Sequence, residues 1–373
     1  MFSKVLFCAV LVAVFTFVAC RGEDTSPIQF HPVPDVLPEM PPIVMMATEL
    51  HTMAIGDDGS LWAFGGNWMG QLGDGTTLNL SFFNQISTDT NWTHVATGTT
   101  HTVAVRTDGT LWAWGFYERT WLTGLGNGTT TGSNVPIQIG YGADWVSVAA
   151  GNMHTMAIKT DGSLWGWGSG NRGQIGTGGG NDVNYIYLSP IQIGIDTDWA
   201  YVFAGEWRTM AIKADGSLWG WGANGNGQLG DGTREYRHSP VQIGTDTDWV
   251  YVSLSNRQSV ALKADGSLWI WGVTSLSQFT DTLGVALLSP EQIGIDTDWV
   301  SVAAGDGYNV ATKEDGSLWV WGRNAQLFFG GLADRDHTVP TQIHPYEHWV
   351  NVAAGNNRVF AITQDGRIQR LGR

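Results

Sequence analysis

Three observations predict an all-β, seven-bladed β-propeller with four antiparallel strands in each blade. First, Asp-Gly followed by Ser or Thr and then Leu-Trp recurs about every 50 residues, a period typical of propeller blades. Its tryptophans are Trp62, Trp112, Trp165, Trp219, Trp269 and Trp319, and a seventh copy keeps only the Asp-Gly. Second, a "DTDW"-like pattern accompanies the first repeat in step. Third, each copy contains short extended segments bounded by Gly, Asp or Pro.

The fourth copy shows the predicted elements in order. Its four extended segments are "WAYVFAG", "TMAIKA", "SLWGWG" and "SPVQIG". Asp215-Gly216 between the second and third segments is a hairpin signal, because glycine adopts a positive φ without steric cost. In the third strand Trp219 and Trp221 point toward one neighbouring blade, and Leu218 and the glycines point toward the other. The repeated tryptophans are therefore predicted to be scaffold.

The predicted ring closes through its N-terminal segment. The seventh copy stops after its third strand at Arg373, and its missing fourth strand would match "SPVQI" of the fourth copy. "SPIQF", Ser26–Phe30, has that pattern. We expect this segment to complete the last blade, which removes two exposed sheet edges. The propeller domain is then predicted to span residues 26–373.

The N-terminus is predicted to direct export. Residues 1–19 combine a positive charge at Lys4 with an apolar run too short for a bilayer span, which is typical of a signal peptide. The junction before Cys20 resembles the lipobox of bacterial lipoproteins, although Phe17 replaces the usual Leu. We expect a lipid on Cys20, a tether over residues 20–25 and display on the bacterial cell envelope. Soluble secretion is the alternative.

Charge and composition exclude one class of partner. The chain has a formal net charge of −15 with 20 tryptophans and 50 glycines. Such a surface repels the phosphate backbone, so no nucleic-acid partner is expected. Contact with a membrane is expected only through the N-terminal lipid.

His51–Thr76 and Gly205–Thr233 resemble the regulator of chromosome condensation repeat family, and the similarity extends from about Ser26 to Arg373. The resemblance implies a seven-bladed propeller. Known members include guanine-nucleotide exchange factors of a small GTPase, a plant ultraviolet sensor and a secreted bacterial inhibitor of β-lactamases. Because these roles differ, the resemblance implies binding in general and no particular partner.

The two faces of the disc differ between copies. The Asp-Gly face holds the second-to-third and the fourth-to-first connections, and its "KxDG" and "DTDW" patterns indicate turn chemistry with weak ion pairs. The variable face holds the other connections, which diverge, and such loops commonly carry binding residues. Aromatic and arginine side chains there are favoured interface anchors. The predicted partner-binding residues are Trp68, Trp121, Trp207, Arg208, Arg257, Tyr308 and Arg358.

No catalytic, metal or cofactor site is expected. His51, His101 and His154 have no histidine at the equivalent positions of later copies, so hydrogen bonding within the blade is the expected role. Gly225–Gly230 spells G-x-G-x-x-G, but no helix follows to bind a pyrophosphate. The sequence therefore predicts a non-catalytic protein-binding propeller. The alternatives are a carbohydrate-binding propeller or, by family analogy, an exchange regulator of a small GTPase.

Overall fold

The computed structural model describes residues 40–48, 50–116, 124–179, 186–273, 286–322, 337–344, 347–355 and 359–371. Within these ranges the chain forms 27 strands and no helix. The strands pair into antiparallel sheets that follow chain order, six with four strands and one with three in the described residues. The predicted all-β, seven-bladed propeller is confirmed.

The first four blades contain β1 (Ile43–Thr48), β2 (His51–Gly56), β3 (Leu61–Gly65), β4 (Leu80–Ser87); β5 (Trp92–Thr97), β6 (His101–Arg106), β7 (Leu111–Gly115), β8 (Ser133–Gln138); β9 (Trp145–Ala150), β10 (His154–Lys159), β11 (Leu164–Ser169), β12 (Ile186–Gln192); and β13 (Trp199–Ala204), β14 (Arg208–Lys213), β15 (Leu218–Gly222), β16 (Arg237–Gln242). The last three contain β17 (Trp249–Leu254), β18 (Gln258–Lys263), β19 (Leu268–Val273), β20 (Ala286–Gln292); β21 (Trp299–Ala304), β22 (Tyr308–Lys313), β23 (Leu318–Gly322), β24 (His337–Ile343); and β25 (Trp349–Ala354), β26 (Val359–Thr363), β27 (Ile368–Leu371).

The Asp-Gly motif builds the hairpin between the second and third strands. In the fourth blade, Gly216 has a φ of 81°, a conformation that an L side chain rarely adopts. The backbone N and the Oγ of Ser217 both donate to Asp215 Oδ1, at 2.9 and 2.6 Å. Trp219 Nε1 then donates to Ser217 Oγ at 3.0 Å. The repeated Asp-Gly-Ser-Leu-Trp is thus one hydrogen-bonded unit that orients a tryptophan.

Neighbouring blades pack through opposite sides of the third strand. Trp221 is fully buried in a cluster with Met156 and Leu164 of the third blade, whereas Leu218 packs with Trp249 and Trp271 of the fifth blade. The predicted alternation is confirmed. Trp219 packs at the margin of the first cluster and stays partly exposed.

The first strands of the second to seventh blades line the central channel, which encloses about 580 Å³. Its pairing with the second strand is interrupted by a bulge. In the fifth blade Trp249 pairs with Lys263 and Tyr251 with Leu262, so Val250 is the extra residue. The bulge buries the tryptophan between blades and leaves the residue after it exposed on the Asp-Gly face.

The first and last blades of the ring abut. Ile43 N donates to Gly366 O at 2.8 Å, and Ile43 packs with Ile362 in one buried cluster. The rings of Phe64 and Phe360 meet edge to face with centroids 6.0 Å apart. Ser26–Phe30, together with the signal segment, lies outside the described residues, so closure of the seventh sheet by this segment stays a prediction.

Candidate functional site

In the first six blades, the first residue of the second strand links the blade to the next one. His51 Nε2 is hydrogen-bonded to Thr102 Oγ1 at 2.7 Å, and Thr102 Oγ1 donates to Gln71 O at 2.7 Å. Because the threonine uses its proton on the carbonyl, the histidine must donate from Nε2. The same contact joins His101 to Thr155 and His154 to Thr209, each at 3.0 Å.

These histidines are buried structural links between blades, not within a blade as the sequence predicted. His101 and His154 are each 1% exposed. Burial disfavours the imidazolium and lowers the pKa of His101 to about 4; burial, with a smaller contribution from His101, lowers that of His154 to about 3. Both therefore stay neutral near pH 7. Among the described residues no group of three His, Cys, Asp or Glu side chains could hold a metal ion.

Arg208 occupies the same linking position, and the prediction that it is an exposed anchor was wrong. Its side chain is 1% exposed, and its guanidinium donates to Ser255 O and Gln258 O at 2.7 Å and to Ser259 Oγ at 3.0 Å. Burial lowers the pKa of Arg208 to about 9. The residue holds the fourth blade to the fifth, and its surface is not available to a partner.

Tyr308 was also predicted to bind a partner, but the structure buries it at a junction. The side chain is 3% exposed, and its hydroxyl donates to Gly355 O of the seventh blade at 2.7 Å. In the preceding blade, Gln258 Nε2 donates to Asn309 Oδ1 at 2.9 Å. Residues that break the histidine pattern thus still serve as links.

The Gly-rich third-to-fourth connections complete these junctions. Gln228 O, within the G-x-G-x-x-G stretch Gly225–Gly230, accepts from Trp271 Nε1 at 2.9 Å and from Ser259 Oγ at 2.8 Å. The loop leads into strand β16. Its glycines therefore allow the loop to approach the next blade closely.

The other predicted residues divide into exposed and undescribed ones. Trp68 is 47% exposed, and its ring lies against Gly66, where a Cβ would overlap it. Arg257 is exposed, and Trp207 is half-buried. Trp121, Arg358 and Cys20 lie outside the described residues. The binding role of all these residues stays a prediction.

A mixed-charge cluster surrounds Trp207 on the variable face. The guanidinium of Arg172, from the third blade, lies 4.6 Å from the centroid of the Trp207 ring. Burial raises the pKa of Glu206; attraction to Arg172 opposes the rise, and repulsion from Asp306 adds to it. The sequence analysis did not select Arg172. This residue lies in the third-to-fourth connection of the third blade, as Trp68 does in the first blade. The cluster combines an aromatic ring with both signs of charge beside the channel mouth.

On the Asp-Gly face each lysine of the repeat is enclosed by its own blade. Lys213 Nζ lies 2.7 Å from Asp196 Oδ2 and 3.1 Å from Asp198 Oδ1. It also lies 4.8 and 4.9 Å from the ring centroids of Trp199 and Trp219. Burial lowers the pKa of Lys213, but the hydrogen bonds to the two aspartates outweigh it and the net shift is upward. The predicted ion pairs are therefore reinforced by cation–π contacts.

The fold and these junctions define a propeller of the RCC1-like class. A family model described as "RCC1-like domain" matches residues 22–289, and a model of the regulator of chromosome condensation (RCC1) repeat matches residues 299–326. The chain therefore belongs to the RCC1-like family. In the described part of the chain no helix is both long and apolar enough to cross a bilayer.

Two curated relatives illustrate the range of the family. The chain is 29% identical over 200 residues to human E3 ubiquitin-protein ligase HERC2, an alignment covering 50% of this chain and 4% of HERC2. It is 31% identical over 188 residues to the ultraviolet-B receptor UVR8 of Arabidopsis thaliana, covering 49% of this chain and 41% of UVR8. The chain thus spans less than half the length of either relative.

Solved structures share the fold at low identity. Prp20p of Saccharomyces cerevisiae superposes with a TM-score of 0.75 at 21% identity, covering 89% of this chain and 82% of Prp20p. Human WBSCR16 superposes with a TM-score of 0.73 at 21% identity, covering 89% of this chain and 90% of WBSCR16. At such identity the likeness extends to the fold alone.

Proposed function

We propose that this chain is a non-catalytic propeller that binds another protein through its variable face. The carrying observation is the cluster of Trp207 with Arg172, Glu206 and Asp306, in connections that escape the blade repeat. Arg257 and Trp68 are exposed on the same face. Aromatic and arginine side chains are the residues most often responsible for binding energy at protein interfaces.

The relatives support a protein-binding or regulatory role. Prp20p was solved in a study of its binding to Gsp1p and histones, and HERC2 and UVR8 are named as a ubiquitin ligase and a receptor. The identity of the partner does not transfer, because family members bind different proteins.

We place the propeller outside the cytoplasm, anchored by a lipid on Cys20, with soluble secretion as the alternative. This part of the proposal rests on the sequence of residues 1–25. Intact-mass measurement of the mature protein is expected to find Cys20 as the first residue with a lipid adduct. An unmodified first residue after Cys20 contradicts the anchor and favours secretion.

Site-specific photo-crosslinking tests the face. A photo-reactive residue at position 68 or 207 is expected to trap a protein partner, and Arg257→Glu is expected to reduce the yield by reversing an exposed charge. The matched controls are positions 214 and 264, exposed in Asp-Gly hairpins. Capture from the control positions alone contradicts binding through the variable face.

Carbohydrate binding is the second candidate, and the exposure of Trp68 favours it, since aromatic faces stack on sugar rings. A glycan array probed with the wild-type protein and with Trp68→Ala separates the two functions. Glycan binding that is lost in the variant supports it. An array without a hit leaves protein binding as the function.

A further inference from the structure

The Asp-Gly face carries the most exposed large hydrophobic side chains of the described residues. Tyr141, Ile195 and Ile295 are 102%, 90% and 91% exposed. Each follows a positive-φ glycine in the connection that runs from the fourth strand of one blade to the first strand of the next. Gly194 and Gly294 have no atom within 4 Å of a built Cβ, so these connections stand clear of the blades.

A second set of apolar side chains lies nearer the channel. The bulge residues that follow the buried tryptophan of each first strand are valines in four blades. These are Val146, Val250, Val300 and Val350, exposed by 40%, 43%, 47% and 46%. The bulge turns them away from the interior, because the tryptophan before each bulge is buried between blades, as are Val252, Val302 and Val352 two positions after three of the bulges.

The same face carries more carboxylates than lysines, and the carboxylates stay about half exposed although they bind the lysine of their own blade. In the fourth blade Asp196 and Asp198 keep 52% of their side-chain surface exposed, whereas Lys213 keeps 11%. Hydrogen bonds from Ser217 hold the pKa of the third carboxyl, Asp215, below its usual value. Each blade of this kind thus presents carboxylates to solvent and keeps its one ammonium between two tryptophans.

These apolar side chains stand in separate connections and strands of one face, so only an occupant that extends across several blades can cover more than one of them. The negative charge of this face determines which kind of partner can bind there. A second copy of this chain would bring an identical acidic rim against the first, and an anionic bilayer would be repelled in the same way. A segment that carries apolar side chains between lysines or arginines matches both the protruding isoleucines and the carboxylates.

We propose that the Asp-Gly face is a second docking surface, which binds a basic polypeptide segment with apolar side chains. The apolar residues of that segment contact Ile195, Ile295 and the exposed valines. Its cations pair with carboxylates such as Asp196 and Asp296, which each blade leaves half exposed. This surface is independent of the variable face and of any partner bound there.

Selection from a random peptide library displayed on phage tests the proposal with the purified propeller. Enriched peptides are expected to hold leucine, isoleucine or an aromatic residue flanked by lysine or arginine. Ile195→Ser combined with Ile295→Ser is expected to lower the affinity of a synthetic enriched peptide at least about tenfold. The variant should fold normally, because these side chains are almost fully exposed. Raising the salt from about 0.05 to about 0.5 M should weaken binding further.

Trp68→Ser with Arg257→Ser is the matched control on the variable face and is expected to leave peptide affinity unchanged. The proposal is overturned by no enrichment, by enrichment of peptides without the basic and apolar pattern, or by unchanged peptide affinity in the protein with both isoleucines replaced. Binding that survives when serine replaces the apolar residues of the peptide also overturns it. Crosslinking from positions 68 and 207 is read separately, so the two surfaces fail or succeed independently.

Discussion

The first residue of each second strand determines how neighbouring blades are joined. A histidine at this position supplies one neutral Nε2 donor to a threonine, as in His154 and Thr209. Arginine supplies several donors to backbone carbonyls, as in Arg208. Different side chains thus meet one requirement: each places a buried donor on an acceptor of the adjacent blade.

Acid is expected to weaken these junctions. Above about pH 6.5 His101 and His154 are neutral in both the folded and the unfolded chain. Below it both histidines of the unfolded chain bind protons, whereas in the folded protein His101 stays neutral down to about pH 4 and His154 down to about pH 3. The free energy of unfolding should therefore fall by about 1.4 kcal/mol per pH unit for each histidine across that window.

Urea unfolding at about pH 7.5 and about pH 5 measures this effect. The matched control is His101→Gln with His154→Gln, since Gln258 fills the same position in the fifth blade and does not titrate. The double variant is expected to lose less stability on acidification than the wild type. An identical loss in both proteins would attribute acid sensitivity to carboxylates instead.

At the scale of the element, the third strand divides its tryptophans between two roles. Trp221 fills the space between blades and has no exposed surface. Trp219 is held by Ser217 and covered by Lys213 at the edge of the blade. The alternation of a strand predicts that both point the same way, but not that one is nearer the surface.

Trp221→Ala is expected to lower the free energy of unfolding by about 3–5 kcal/mol, because it leaves a cavity between two blades. Trp219→Ala is expected to cost about 2 kcal/mol, since part of its surface already faces water. Chemical denaturation of the two variants compares them directly. Equal losses would contradict the unequal burial of the two side chains.

The blade repeat explains which features were predictable. Strand order, Asp-Gly hairpins and buried tryptophans recur in several copies, and each has a local physical cause. Arg208 and Tyr308 were assigned to partner binding because they differ from the histidine of the first three copies. That difference does not determine whether a side chain is exposed. Ser259 replaces the usual threonine where Arg208 docks, and Asn309 does so where Gln258 docks. Comparison of each copy with the next, rather than with the average copy, would have revealed these contacts.

The exposed apolar side chains of the Asp-Gly face were not predicted, for a related reason. Repetition of "DTDW" correctly indicated turns and ion pairs, but the residue beside that pattern is not constrained by it. Ile195 and Ile295 precede it, and Val250 follows it. Their exposure depends on a loop path and a bulge, which short-range patterns do not determine.

At the scale of the whole molecule, the ring depends on how its last blade is completed. Deleting residues 26–30 is expected to lower the free energy of unfolding by about 3 kcal/mol or more, because the predicted closure makes this segment the fourth strand of the last blade. Deleting residues 21–25 is the matched control and should have little effect. Thermal or urea unfolding of the two truncated proteins measures the difference. Equal stability would contradict closure by Ser26–Phe30.

The matched pairs at the junctions also influence which blade packs beside which in the ring. A fourth blade that docked beside the sixth would place Arg208 against Asn309 in place of Ser259. Such a mispairing leaves a buried amide or guanidinium without its full set of acceptors, and the cost disfavours the wrong arrangement. Arg208 and Gln258 therefore favour their own neighbours as the chain folds, whereas the three histidine–threonine junctions are chemically alike.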